Sequence, residues 1–183
     1  MSGIGRSRRA WGWHPLVDEW AARIVADADL RPGELVMDIG AGQGILTRHL
    51  VEAGVRVLAV ELHPGRARQL RERFAEAPVT VIQTDALSLT LPHRPFRVVA
   101  SPPYAISSAL LRVLLGSHSR LVAADLVLQR AVVRRHVDRW RGTAGQTHRR
   151  WDARAGRALP RHAFRPAPQV DSAVLVIRRR SAA

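Results

Sequence analysis

Residues 35–44 read Leu-Val-Met-Asp-Ile-Gly-Ala-Gly-Gln-Gly, and they give the clearest local signal in the chain. The apolar run Leu35–Ile39 predicts a buried strand, and the periodicity of Ile45–Ala53 predicts a helix directly after it. Glycines between a strand and a helix permit a sharp turn and let a ligand approach the backbone closely. The spacing of Gly40, Gly42 and Gly44 brings the third glycine one residue too early for a dinucleotide site. No phosphate-binding Lys-Ser/Thr pair follows either.

Outward from this turn, short apolar runs alternate with helical patterns. This order predicts a mainly parallel sheet flanked by helices. The other predicted strands are Arg56–Glu61, Val79–Asp85, Arg97–Ser101, Leu121–Gln129 and Ser172–Ile177. The other predicted helices are Leu16–Asp29, Pro64–Glu76, Ile106–Leu115 and Ala131–Trp140. Residues 141–150 are polar, contain two glycines and predict a loop.

Two acidic residues close the next two predicted strands. Glu61 follows Gly40 by 21 residues, a position from which a carboxylate commonly accepts hydrogen bonds from ribose hydroxyls. Asp85 closes the third strand, where a carboxylate can receive the exocyclic amine of an adenine. Strand-end acids also occur as simple helix caps. Together with the glycine turn, however, the two acids predict an adenosine pocket without a pyrophosphate site, which S-adenosylmethionine fits.

The fourth predicted strand ends in Ser101-Pro102-Pro103-Tyr104. Two prolines make a stiff turn whose carbonyl groups are free to accept hydrogen bonds. The Pro102 carbonyl and the Ser101 oxygen can accept the two N6 protons of an adenine, while Tyr104 holds the base from one face. Methyl transfer to N6 would then proceed by positioning and electrostatics, without a metal or a covalent intermediate. The alternative is that this segment is only a rigid loop.

Basic charge is concentrated in the last third of the chain. All 29 basic residues are arginine and the formal net charge is +14. Residues 1–129 hold 15 Arg against 12 acids, whereas residues 130–180 hold 14 Arg against Asp138, Asp152 and Asp171. Such asymmetry predicts a polyanionic partner such as RNA, with a merely solubilising surface as the alternative.

Composition excludes several other classes of protein. With no cysteine the chain cannot form a disulfide or a thiolate metal site, and its eight histidines lack metal-ligand spacing, so we predict no metal. No apolar run approaches the ~20 residues of a membrane span, and no targeting signal is recognisable. We therefore predict a cytoplasmic protein without a membrane partner.

These motifs resemble those of the ribosomal RNA adenine N6-methyltransferases, which comprise the Erm resistance enzymes and the dimethyladenosine transferases. The resemblance rests on Asp38–Gly44, Glu61, Asp85-Ala86 and Ser101–Tyr104. Gln129–Val132 resembles the family's Gln-Lys/Arg segment, and Phe164–Val174 resembles its F-x-P-x-P-x-V-D-S-A-V signature most closely. The resemblance runs from about residue 12 to residue 178, nearly the whole chain.

The resemblance implies a Rossmann-like class I methyltransferase fold, with a mostly parallel seven-stranded sheet and helices on both faces. It implies catalytic roles for Ser101, Pro102, Pro103 and Tyr104, and target-base contacts for Tyr104 and Phe164. Phe164 can instead be a core aromatic. The implied contacts with S-adenosylmethionine are Asp38, Gly40, Ala41, Gly42, Gly44, Glu61, Leu62, Asp85, Ala86 and Ser101. The residues expected to contact RNA are Arg6, Arg8, Arg9, Trp11, Arg134 and Arg135.

The chain departs from the family pattern in three places. Ser101 stands where the family usually has Asn or Asp. Trp13-His14-Pro15-Leu16 stands where the family has Gln-Asn-Phe-Leu, so the Gln contact with the cofactor is not expected here. The chain ends shortly after Ser172–Ile177, where family members continue into a helical RNA-binding domain. We therefore expect a basic, aromatic arm over residues 1–15 and one catalytic domain over residues 16–183. Short mycobacterial-type Erm proteins have this organisation.

The expected activity is methylation of adenine N6 in 23S rRNA, giving resistance to macrolide-type antibiotics. The nearest alternative is a 16S rRNA dimethyladenosine transferase. A methyltransferase-fold RNA-binding factor with weak or no catalysis is the alternative from another class, which the serine at position 101 permits. DNA adenine and protein glutamine methyltransferases share Pro-Pro-Tyr turns, but they do not carry the Phe164–Val174 signature. Nothing in the sequence requires more than a monomer.

Overall fold

The computed structural model describes residues 14–142 and 150–180, and the side chains of residues 141 and 142 are not part of that description. The arm expected over residues 1–15 therefore lies outside the described residues, apart from His14 and Pro15. The same is true of Arg6, Arg8, Arg9 and Trp11, so their expected RNA contacts stay predictions.

Seven strands form one sheet in the order β3-β2-β1-β4-β5-β7-β6. Strands β1 to β5 run parallel, whereas β7 runs antiparallel to both β5 and β6. Consequently the strands before β7 in the chain end at one common edge of the sheet, which we call the carboxyl edge. The strands are β1 Leu35–Ile39, β2 Arg56–Glu61, β3 Val79–Gln83, β4 Phe96–Ala100, β5 Leu121–Gln129, β6 Trp151–Leu159 and β7 Ser172–Arg179.

Helices cover both faces of this sheet, because alternate residues of its buried strands belong to two separate hydrophobic cores. Val36, Val57 and Val99 pack against α1, α2 and α3 on one face. Met37 and Val98, which point the other way, pack against α4 and α5 on the opposite face. The helices are α1 Asp18–Asp27, α2 Ile45–Glu52, α3 Pro64–Arg73, α4 Ser107–Leu114 and α5 Arg130–Gly142. Single 3₁₀ turns occupy Tyr104–Ile106 and Arg161–Ala163.

The expected seven-stranded α/β fold is confirmed, but one strand was not recognised in the sequence. β6 reads Trp-Asp-Ala-Arg-Ala-Gly-Arg-Ala-Leu, and only its end residues, Trp151 and Leu159, are buried. It is an edge strand, with an irregular register between Ala155 and Ala158. Because its exposed positions carry arginine and alanine instead of β-branched residues, the apolar alternation of a strand is missing.

Smaller differences concern the ends of elements. β3 ends at Gln83, before the expected Asp85, because the Asp85 carboxylate accepts the Leu87 amide at 2.8 Å and closes a turn. α1 begins at Asp18, after the expected Leu16, because Leu16 pairs with Phe164 in an isolated β-bridge. α5 extends to Gly142 into the predicted loop, and residues 143–149 of that loop lie outside the described residues.

Among the residues that the structure describes, no helix is both long and apolar enough to cross a membrane.

Candidate active site

The glycine turn after β1 is hydrogen-bonded to the end of β2. The amides of Gly40 and Ala41 both donate to the carbonyl oxygen of Val60, at 2.8 and 3.0 Å. Gly40, Gly42 and Gly44 have φ of +82°, +58° and +81°, a left-handed conformation that is costly for other residues. The turn therefore needs glycine at these positions for conformational reasons alone.

Gly40 also contacts the Pro-Pro turn that follows β4. A β-carbon on Gly40 would lie 3.3 Å from Cδ of Pro103 and 3.5 Å from Cα of Pro102. The pairing of β1 with β4 produces this approach, since it brings the two strand ends side by side. The two motifs that were singled out separately in the sequence are thus in direct contact.

Glu61 is buried at the end of β2, and its carboxylate is held by backbone amides. The Gly42 amide donates to Oε2 at 2.9 Å, and the His63 amide donates to Oε1 at 2.8 Å. Arg66 Nη1 lies 3.7 Å from Oε1. A carboxylate offers about four lone-pair positions, so each oxygen can still accept a hydrogen bond from a ligand.

Asp38 is buried within β1, beneath the glycine turn. Its Oδ2 accepts a hydrogen bond from Thr47 Oγ1 at 2.7 Å. Burial raises the pKa of Asp38 from 3.8 to about 7. The hydrogen bond from Thr47 opposes this rise, and the negative charge of Glu61 adds to it. Asp38 is therefore a carboxyl group whose ionisation opposes folding.

We expect Asp38 to make the protein less stable as the pH rises from about 4 to 7. In this range the unfolded chain has lost the Asp38 proton and the folded chain keeps it, so the free energy of unfolding falls by up to roughly 1.4 kcal/mol per pH unit. Asp38→Asn should lose this slope because an amide does not ionise in this range, and its oxygen can still accept the hydrogen bond from the Thr47 hydroxyl. Urea unfolding of both proteins between pH 4 and 8 measures the difference. Parallel stability curves for the two proteins would contradict the raised pKa.

Asp85 is exposed beyond β3, with Ala86 partly exposed beside it. Two apolar side chains nearby are unusually open to solvent: Leu62 after β2 is 41% exposed and Leu87 after β3 is 39% exposed. Because β2 and β3 are neighbours, both leucines follow adjacent strand ends. Leu87 was not predicted as a site residue from the sequence. Its position, two residues after the acidic residue that closes the predicted third strand, could have identified it.

Tyr104 lies in the 3₁₀ turn after Pro103 and is partly buried. Its hydroxyl forms a 2.6 Å hydrogen bond with Oγ of Ser172, the first residue of β7. Its ring lies near that of His14, with centroids 6.0 Å apart and planes inclined by 26°. Burial raises the pKa of Tyr104, so the phenol is neutral at physiological pH. Ser172 and His14 were not recognised as site residues, although Ser172 lies within the quoted Phe164–Val174 signature.

A backbone pairing joins the start of the described chain to the Phe164 segment. The Val17 amide donates to the Ala163 carbonyl at 2.8 Å, and the Arg165 amide donates to the Pro15 carbonyl at 3.0 Å. Phe164 itself is 1% exposed and belongs to the hydrophobic core. The structure therefore gives the Phe164 ring a packing role, and its contact with a target base stays a prediction that requires the ring to move.

The remaining candidates lie around one cleft and on α5. The cleft is lined by residues that include His14, Asp38, Gly40, Ala41, Gly42 and Ser101. Gly44 follows as the residue before α2, and Arg134 and Arg135 are exposed on α5. Within residues 14–142 and 150–180, no group of three or more His, Asp or Glu side chains is arranged to hold a metal ion.

The strand order with β7 reversed, the glycine turn and the strand-end motifs match the Rossmann-like α/β fold of class I methyltransferases. The family model for ribosomal RNA adenine dimethylase matches residues 6–183, and the chain therefore belongs to that family.

Individual relatives agree with this assignment. An rRNA methyltransferase of Streptomyces thermotolerans is 38% identical, over 98% of this chain and 61% of that protein. Ribosomal RNA small subunit methyltransferase A of Thermosynechococcus vestitus is 36% identical, over 94% of this chain and 70% of that protein. The crystal structure of the 23S rRNA methyltransferase ErmE is 31% identical, superposes with a TM-score of 0.80, and is matched over 91% of this chain and 70% of that one. The chain is thus similar to longer proteins.

Proposed function

We propose that this protein methylates N6 of an adenine in 23S rRNA, with S-adenosylmethionine as the methyl donor. The contact between the Gly40 turn and the Pro102-Pro103 turn carries this proposal. It brings a cleft suited to an adenosine-containing cofactor against a turn suited to an exocyclic amine. A similar activity is named for the Streptomyces relative and for ErmE.

The residues of the cleft and of the neighbouring strand ends fit S-adenosylmethionine. Glu61 keeps free acceptor positions for the two ribose hydroxyls, and Gly40 and Gly42 allow a ligand to lie against the backbone. Leu62 and Leu87 offer apolar surface for the adenine ring, and Asp85 can accept its amine. When bound, the cofactor would supply an electrophilic methyl group on a sulfonium ion.

The chain's own contribution is to hold the target adenine. N6 is a poor nucleophile because its lone pair is delocalised into the purine ring. Hydrogen bonds from N6 to the Pro102 carbonyl and the Ser101 oxygen would localise that lone pair, and the Tyr104 ring would hold the base. The hydrogen bond between the hydroxyls of Tyr104 and Ser172 restrains the ring before the base arrives. The target base must leave its stack to enter this site.

The RNA itself would bind along the carboxyl edge. α5 starts there, directly after β5, and carries the exposed residues Arg130, Arg134 and Arg135. Exposed Arg161 and Arg165 lie between β6 and β7, also at this edge. These arginines can bind phosphates that flank an everted base. We also propose that the protein acts as a monomer in the cytoplasm, without a metal. Residues 16–183 would form the catalytic domain, and residues 1–15 would form an RNA-binding arm.

Replacing Arg134 and Arg135 together with alanine should weaken RNA binding about tenfold and leave cofactor binding unchanged. The double variant should also lower the slope of log affinity against log salt, by about 0.7–0.9 for each phosphate that the protein no longer neutralises. Titration of labelled RNA at several salt concentrations measures both quantities. Arg94→Ala with Arg120→Ala is the matched control, since both arginines are exposed but precede β4 and β5 at the opposite edge. Equally weakened binding in the two double variants would indicate that α5 has no special role.

The activity is tested by incubating the purified protein and methyl-labelled cofactor with 23S rRNA, 16S rRNA, large-subunit particles and duplex DNA. Label recovered as N6-methyladenosine or N6,N6-dimethyladenosine from 23S rRNA alone is the expected result. A strain expressing the active protein should then resist macrolides. Label in 16S rRNA would favour the activity named for the Thermosynechococcus relative. Cofactor binding without any transfer would instead favour an RNA-binding factor.

A further inference from the structure

Two of the departures from the family pattern lie at the same cleft, and His14 belongs to one of them. It occupies an altered N-terminal motif, and it lines the same cleft as Ser101, the residue that replaces the usual Asn or Asp. Its ring also lies near that of Tyr104, with centroids 6.0 Å apart. His14 therefore lies beside both the cofactor cleft and the residue proposed to hold the target base.

The imidazole is held through one of its nitrogens. His14 Nδ1 lies 3.0 Å from the carbonyl oxygen of Pro166. A carbonyl oxygen can only accept, so Nδ1 carries the proton of this hydrogen bond, and in the neutral ring Nε2 is left as an acceptor. None of the described residues forms a hydrogen bond with Nε2. The adjacent pairing of Pro15 with Arg165, at 3.0 Å, fixes the backbone that carries the ring.

Adenine N6 needs a second acceptor that Ser101 supplies poorly. The amine has two protons, and the Pro102 carbonyl can take one of them. A serine hydroxyl is shorter than an Asn or Asp side chain, and its own proton competes with the amine for acceptors. The imidazole of His14, which lines the same cleft, offers an acceptor nitrogen that carries no competing proton.

We propose that Nε2 of His14, in place of the Ser101 oxygen, accepts the second N6 proton of the target adenine and is a further catalytic residue of this site. This inference rests on the proposed function. As the N6 lone pair forms the bond to the methyl carbon, the electron pair of the broken carbon–sulfur bond stays on sulfur. One N6 proton passes to Nε2, which converts imidazole to imidazolium, and water then removes that proton.

The first test measures binding without methyl transfer. An RNA hairpin carrying the target adenosine is compared with the same hairpin carrying purine riboside, which lacks the N6 amine. The parent protein should bind the adenosine hairpin about three- to tenfold more tightly, as expected for one or two hydrogen bonds. His14→Phe keeps an aromatic ring beside Tyr104 but has no acceptor, and should lose most of this discrimination. Discrimination equal to that of the parent would overturn the proposal.

The second test measures rescue. His14→Phe should lower kcat about tenfold or more, with cofactor affinity changed less than about threefold. Adding Ser101→Asn should restore most of the lost rate, because the Asn carbonyl supplies the missing acceptor. A loss of rate that Ser101→Asn leaves unchanged would make His14 a structural residue and overturn the proposal. This test distinguishes the role of His14 from the proposed function. A parent protein that methylates no RNA refutes the function. An active parent with a fully active His14→Phe variant refutes only the role of His14.

Discussion

Tyr104→Ala is expected to lower the rate of methyl transfer to RNA about 100-fold, while cofactor affinity changes less than about threefold. Stacking of a base on an aromatic side chain contributes about 1–3 kcal/mol, and the ring is also the part of the turn that orients the base. Since Tyr104 follows the Pro-Pro turn and is only partly buried, its removal should leave the cleft intact. Single-turnover rates with a target hairpin, together with calorimetric cofactor binding, measure the two quantities.

Two milder variants separate the ring of Tyr104 from its hydroxyl. Tyr104→Phe keeps the ring but loses the 2.6 Å hydrogen bond to Ser172, and Ser172→Ala removes the same bond from the other side. Each should lower the rate only a few-fold, and the double variant should be no worse than either single one, because both remove one shared interaction. A Tyr104→Ala variant with an unchanged rate would show that the ring does not hold the base.

The second large effect is expected on stability. Gly44→Ala should lower the free energy of unfolding by about 2–5 kcal/mol, combining a left-handed backbone penalty with overpacking. Gly44 has φ of +81°, and an added β-carbon would lie 2.7 Å from Cε2 of Phe74 and 2.8 Å from Cδ2 of Leu70. Both side chains are buried in the hydrophobic core, so neither can move freely.

Gly33→Ala is the matched control for this substitution. Gly33 has nearly the same φ, +82°, but an added β-carbon there would meet no atom within 4 Å. Gly33→Ala should therefore lower the free energy of unfolding only by the penalty of the left-handed backbone, about 1–2 kcal/mol. Thermal and urea unfolding of the two variants measure the difference, which is the contribution of the clash. Equal destabilisation would mean that α2 and α3 shift enough to relieve it.

Some features could be predicted because their signals are local. The strands Leu35–Ile39, Arg56–Glu61 and Leu121–Gln129 were predicted with the boundaries that the structure has. Each is a short apolar run bounded by turn residues, and parallel strands buried on both faces carry this pattern in their own composition. β6 could not be predicted in the same way, because an exposed edge strand does not require apolar alternation.

The fold class and the positions of the candidate motifs follow from the amino-acid sequence, since each motif directly follows an apolar run that marks a strand end. Which of these motifs touch depends on the tertiary structure. Gly40 meets Pro103 because β1 lies beside β4, and Tyr104 bonds Ser172 across 68 residues because β7 returns antiparallel to β5. His14 is held at the cleft by the hydrogen bond from its Nδ1 to the carbonyl oxygen of Pro166, which lies 152 residues away. Such contacts depend on strand order and chain reversal, which no local pattern of residues encodes.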